Sequence, residues 1–215
     1  MSAPSLSAPA AREPIHTRRV TCQGFRRADG LWDIEGHLTD VKSYGFHTEE
    51  RGHLEPGTPI HQMWMRLTVD DKLTVQAVEA VTEHSPYKAC GSITPQFQQL
   101  VGLRVGPGWT RAVKDRLGGA KGCTHLVELL GPLATTAFQT VYPILAREAA
   151  DRAKASGKPA QDDGKRPVLL NMCHIFDSNG EVVRRHWPAH YTGHDRAGPE
   201  NEDQNEDAAR EEAAE

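Results

Sequence analysis

The sequence predicts an α+β fold: an antiparallel or mixed sheet of hairpins packed on a helical layer. Three observations predict it. Residues 18–46 and 60–81 show the two-residue alternation of strands. Turn signals, Asp29-Gly30 and Asp70-Asp71-Lys72, divide those stretches into pairs. From residue 94 to about 155 the apolar spacing becomes helical.

Each element has its own justification. Residues 1–15 are rich in Ser, Ala and Pro and read as a disordered N-terminus. In the stretch after Asp29-Gly30, Trp32, Ile34 and Leu38 share one parity, while Asp33, Glu35, His37 and Thr39 share the other. That is a strand with one face in the core. Residues 47–58, with Pro56 and two glycines, read as a loop. Ile60–Val69 and Leu73–Val81 read as the next pair of strands, with a helix after Val75 as the alternative. Thr94-Pro95 looks like a helix N-cap followed by proline at the first helical position. Residues 109–117 read as a short amphipathic helix stopped by Gly118-Gly119. Leu126, Leu129, Leu130, Leu133, Ala137 and Val141 mark a longer helix, which Pro132 and Pro143 are expected to kink or divide. Residues 168–176 and 181–187 read as a second hairpin around Ser178-Asn179-Gly180. The expected organisation is a single domain over 16–189, with a flexible linker at about 155–166 and a disordered acidic tail over 190–215.

Composition limits the function classes. A chain of 215 residues, 38% hydrophobic, suits one domain with appendages. No stretch approaches the ~20 apolar residues of a membrane helix, so no membrane span is expected. The N-terminus lacks a basic start followed by an apolar core, so no secretory leader is expected either. Four cysteines do not make a disulfide scaffold, and a reduced, cytoplasmic setting is the expectation. Residues 200–215 carry −7 of the net −4, leaving +3 on the rest. That near-neutral body predicts no nucleic-acid partner. The expected partner is a small-molecule substrate or a protein; the acidic tail reads as solubilising or as a dock for a basic partner.

The chemistry sits at four places: His61, which opens a strand; Cys90 in YKACGS; Cys123 and His125 in GCTHL; and Cys173-His174. Thiolate and imidazole together suit Zn²⁺ or iron, and a zinc site needs three or four such groups converging. For each cysteine alone the plain alternative is a small buried hydrophobe. Glycines at 118, 119 and 122 allow a tight turn that puts Cys123 in the first turn of a helix, where the dipole favours a thiolate. Cys123 and His125 do not face each other on an ideal helix, so they converge only if that turn is irregular or one of them lies on the loop. Asp33 and Glu35, beside His37, form a carboxylate pair on one strand parity, as in general acid–base catalysis, or a solvated strand face. Arg66 and Asp70 are candidates to orient a metal-bound histidine. Cys173 and His174, adjacent in a strand, would point to opposite faces.

The motifs RADGLWDIEG, PIHQMWMRLTVD, GCTHL and a late Cys-His with Trp-Pro resemble an uncharacterised bacterial family of unknown function, over residues 18–188. Residues 59–140 also resemble, more distantly, the iron–sulfur scaffold proteins of the NifU/IscU type. His61 stands where that family has its first ligand cysteine. Ala89-Cys90-Gly91-Ser92-Ile93 matches the second ligand turn, and Gly122-Cys123-Thr124 the third. This resemblance implies a scaffold-like core and a metal cluster of His61, Cys90, Cys123 and His125. The chain departs from the family at His61, Met63 and Gly122, which stand for a cysteine, an aspartate and a histidine. The resemblance thus implies a retained metal pocket rather than a shared function. The functional expectation is a metal-binding domain, with zinc or alternatively iron or an iron–sulfur cluster. It would act as an enzyme on a small organic substrate, as a metal- or sulfur-handling accessory protein, or as a non-catalytic binding protein.

Overall fold

The computed structural model describes residues 6–157 and 166–193. Among the described residues there are six strands: β1 (His16–Arg26), β2 (Trp32–Lys42), β3 (Phe46–Thr48), β4 (Gly52–Leu54), β5 (Pro59–Val69) and β6 (Val75–His84). Three α-helices follow: α1 (Trp109–Leu117), α2 (Thr124–Ala155) and α3 (Glu181–His186). The long strands form one antiparallel sheet in the order β1-β2-β5-β6, and β3 and β4 form a separate small hairpin. The α+β expectation therefore holds, and the residues after Val75 are strand rather than helix.

Alternation builds the core. Trp32, Ile34 and Leu38 of β2 and Met63, Met65, Leu67 and Val69 of β5 lie on one face of the sheet and are buried. α2 covers this face with Leu126, Leu129, Leu130, Leu133, Ala137 and Val141. It runs along the sheet in the same sense as β1, from Glu128 beside Arg18 to Glu148 beside Arg26. Two glycines let it approach. A Cβ at Gly24 would fall 1.9 Å from Thr140 Oγ1, and one at Gly36 would fall 3.0 Å from Leu133. α2 is long and apolar enough to cross a membrane by length and composition, with a window of mean hydropathy 1.2. Its apolar stripe packs on the sheet here.

Several local expectations are corrected. The stretch read as a loop at 47–58 contains the hairpin of β3 and β4. The helical layer begins at Lys88, as a 3-10 helix to Leu100 with Pro95 inside it, so Thr94 is not an N-cap; its hydroxyl donates to the Gly91 carbonyl instead. Phe97 and Leu100 anchor that helix in the core. Pro132 and Pro143 do not divide α2, which is continuous from Thr124 to Ala155. Both prolines face solvent, where water replaces the bond each removes.

The chain divides after Gly157 into two compact units. The division falls inside the segment read as a linker. In the second unit the expected hairpin is absent from the described residues. Residues 174–176 form a 3-10 turn, α3 spans Glu181–His186, and Phe176 and Trp187 pack with ring centroids 5.4 Å apart. Short polar side chains redirect the backbone. Asn171 Oδ1 accepts the Ser178 N–H, and Asp177 Oδ1 accepts the Asn179 N–H. Those local bonds compete with a strand ladder and favour a turn into a helix. The tail read as disordered lies, from residue 194 on, outside the described residues, as do residues 1–5.

Candidate metal centre

The register of the sheet stacks three strands at one end. Arg18 of β1 lies opposite Asp40 of β2, which lies opposite His61 of β5. All three sit on the core face, where the N-terminus of α2 closes over the sheet. Asp40 continues the parity of Trp32, Ile34 and Leu38 and is 1% exposed. A buried carboxylate must be paired. Arg18 supplies a two-pronged pair, with Nε 2.8 Å from Oδ1 and Nη2 2.8 Å from Oδ2. His16 Nε2 lies 3.2 Å from Oδ1 and His61 Nδ1 lies 3.0 Å from Oδ2. The remaining Arg18 nitrogen bonds Glu128 of α2, which ties helix to sheet.

Burial alone would raise the Asp40 pKa. The Arg18 guanidinium, bonded to both oxygens, outweighs it and, with His16 and His61, brings the carboxyl to about 2. Asp40 is therefore an anion near neutral pH and only accepts hydrogen bonds. His61 Nδ1 must then carry the proton it donates to Asp40, which leaves the Nε2 lone pair free.

The second histidine comes from the start of α2. Cys123 is the residue before the helix, in extended conformation with φ −100° and ψ 126°. His125 is the second helical residue. Because Cys123 is not helical, the two side chains converge, with Sγ 3.9 Å from His125 Nδ1. The His125 ring lies over His61, with centroids 3.7 Å apart and planes tilted by 31°. Its Nε2 faces Asp40 Oδ2 at 3.8 Å. Burial, then the neighbouring charge of His125, pushes the His61 pKa below its ordinary value; burial and Arg18 do the same to His125. Neutral imidazoles are the form that binds a metal ion. Asp40, His61 and His125 each offer a ligand atom, all within 4.8 Å of one another, the single such group among the described residues.

The structure thus brings His61 and His125 together at Asp40 and sets Cys123 beside His125, outside the ligand group. Cys90 lies in the 3-10 helix beyond the outer strand β6 and is absent from the ligand group. Asp33 and Glu35 lie on the opposite face of the sheet. Asp33 accepts from Thr68 and Arg27, and Glu35 accepts from Arg66. Arg66 has the other parity from His61 and also pairs with Glu79, so it does not orient that histidine. Asp70 caps its own turn by accepting the Lys72 and Thr74 N–H groups. Cys173 is exposed and precedes a 3-10 turn that includes His174. Residue-type reading missed Asp40, Arg18 and His16. The available signal was parity: an aspartate two places beyond Leu38 falls on the apolar face of its own strand.

No curated protein and no solved structure matches the chain, so the likeness to iron–sulfur scaffolds gains no support. One family model does match, over residues 16–139. That span starts at His16 and contains Arg18, Asp40, His61, Cys123 and His125. The chain accordingly belongs to the family described as a protein of unknown function, DUF2889.

Proposed function

We propose that this chain is a metal-binding domain whose ion is held at the His61–His125 pair. The observation that carries this is two stacked, partly buried imidazoles, 16% and 25% exposed, beside a buried carboxylate that fixes the tautomer of one of them. A carboxylate behind a histidine is the usual support of a metal ligand. Imidazole donors suit zinc, copper, iron and nickel. A zinc ion with an open position would activate water or polarise a carbonyl, which supports the reading of an enzyme acting on a small organic substrate. The nearness of the free thiol of Cys123 favours a second reading, an accessory protein that handles metal or sulfur.

Metal content tests the proposal. Protein purified without chelator and incubated with zinc, copper or iron is expected to retain about one ion per chain. His61→Ala and His125→Ala are each expected to lose it. Failure of the wild-type chain to retain any of these ions would overturn the proposal. Zinc would direct a substrate screen toward hydrolytic chemistry; iron with labile sulfide would favour the accessory reading.

A further inference from the structure

A groove lies between α1 and α2, within the first unit, and neither His61 nor His125 lines it. Its volume is about 320 Å³, at the small end of the roughly 300–1,000 Å³ of ligand pockets. Trp109, Val113, Val127 and Leu130 give it apolar walls. The Trp109 indole N–H donates to the Leu130 carbonyl at 3.1 Å, a bond that joins the two helices and fixes the ring.

Gly131 of α2 also lines the groove. Glycine inside a helix is destabilising relative to alanine, so its presence calls for a reason. Its backbone does not supply one, because Gly131 has no positive φ. Packing does not supply one either. A Cβ at Gly131 would meet no atom within 4 Å, whereas one at Gly118 would fall 2.4 Å from the Lys114 carbonyl oxygen. The proline that follows does not demand glycine, since Tyr142 precedes Pro143 in the same helix. The missing side chain therefore serves no contact among the described residues. It leaves open room on the wall of the groove.

The polar groups around that room favour an anion. Lys114 lines the groove, and its ammonium has no acidic partner among the described residues. Thr110, one turn earlier on α1, lines it too, and its hydroxyl has no hydrogen-bond partner among them. Glu128 is the acid in the lining, and Arg18 takes up its charge.

We infer that this groove binds a small hydrophobic carboxylic acid. Its aromatic or branched body lies against Trp109 in the room left by Gly131, and its carboxylate is held by Lys114 and Thr110. One ammonium and one hydroxyl suit a monoanion with two acceptor oxygens. The inference needs no metal ion and stands apart from the metal-binding reading.

The test is a titration of the full chain with cinnamate, followed by heteronuclear NMR, with neutral cinnamamide and apolar-tail-free acetate as comparisons. Cinnamate is expected to bind saturably and to shift the Trp109 indole and Gly131 amide resonances; acetate is expected to shift neither. Lys114→Ala should weaken cinnamate by about two- to five-fold, the effect of losing one exposed charge pair, and leave cinnamamide unchanged. Gly131→Leu fills the groove without a clash and should abolish the binding of both, with its helices checked by circular dichroism. Absence of any shift with millimolar cinnamate would overturn the inference. Cinnamamide binding as tightly as cinnamate would overturn the assignment to an acid. Undiminished cinnamate binding in Gly131→Leu would overturn the location. Movement of the same resonances on diluting the ligand-free protein would give the groove to a second copy of the chain and overturn the inference as well.

Discussion

The two faces of the four-stranded sheet carry the same kinds of residue and behave differently. On the inner face an aspartate, an arginine and three histidines meet at Asp40 under the end of α2. On the outer face Asp33, Glu35, Arg66 and Glu79 form a ladder of pairs, and His37 stacks on Trp64 with centroids 3.7 Å apart. The difference is water. Asp40 is 1% exposed and its partners cannot be replaced by solvent. Arg66 is 45% exposed and Glu79 62%, so solvent competes for every bond they make. Burial turns an ordinary ion pair into a fixed scaffold that positions a histidine and sets its tautomer. Exposure leaves an equivalent set of charges as a solvated strand face.

Removing the acid from each face breaks the comparison most directly. Asp40→Ala leaves Arg18 and two histidines without their common acceptor. Stranding a partner of a buried pair costs about 3–5 kcal/mol, and Arg18, 35% exposed, puts this case at the lower end. Glu35→Ala should cost less than about 1 kcal/mol. Urea unfolding with chelator present measures both, and equal losses would erase the distinction between the faces.

Acid sharpens it. The folded pKa of Asp40, about 2, lies below its ordinary 3.8. The unfolded chain therefore binds the proton first, and stability falls as pH falls. The contribution is complete above about pH 4 and is lost as pH drops toward 2; it amounts to about 2 kcal/mol. Unfolding free energies of the chelated protein across that window should fall more steeply for wild type than for Asp40→Asn. Parallel curves would remove Asp40 as the acid-sensitive group.

The smallest expected effect is on the outer face. Glu35→Gln and Glu79→Gln should each shift stability by about 0.5 kcal/mol or less, because Arg66 keeps one partner and water replaces the other. At 1 M salt, where screening acts over about 3 Å, the shift should vanish. A salt-independent loss above 1 kcal/mol would mean that the outer ladder is structural.

The sequence by itself determined the long strands of the sheet and the helices α1 and α2, but not the β3–β4 hairpin or the start of the helical layer at Lys88. Alternating burial in β2 and β5 and the helical stripe of α2 are local periodicities, fixed by the pleat and the helical turn. The limits of α1 followed from Gly108 and Gly118 on either side of it. His61, Cys123 and His125 stood out because imidazole and thiol are rare groups with distinctive chemistry. Local pattern failed where side chains redirect the backbone: the bonds of Asn171 and Asp177 replaced an expected hairpin with α3, and solvent-facing Pro132 and Pro143 left α2 whole. Only the tertiary structure decided the membership of the site. Asp40 lies 22 residues from Arg18 and 21 from His61, and it is the sheet register that sets them side by side. Cys90 resembled a ligand in its local turn, yet it belongs to a helix beyond β6. The convergence of Cys123 with His125 rested on one residue's backbone, extended instead of helical, which no spacing in the sequence specifies. Ligand geometry depends on a few ångströms between elements distant in the chain, and packing alone sets those distances.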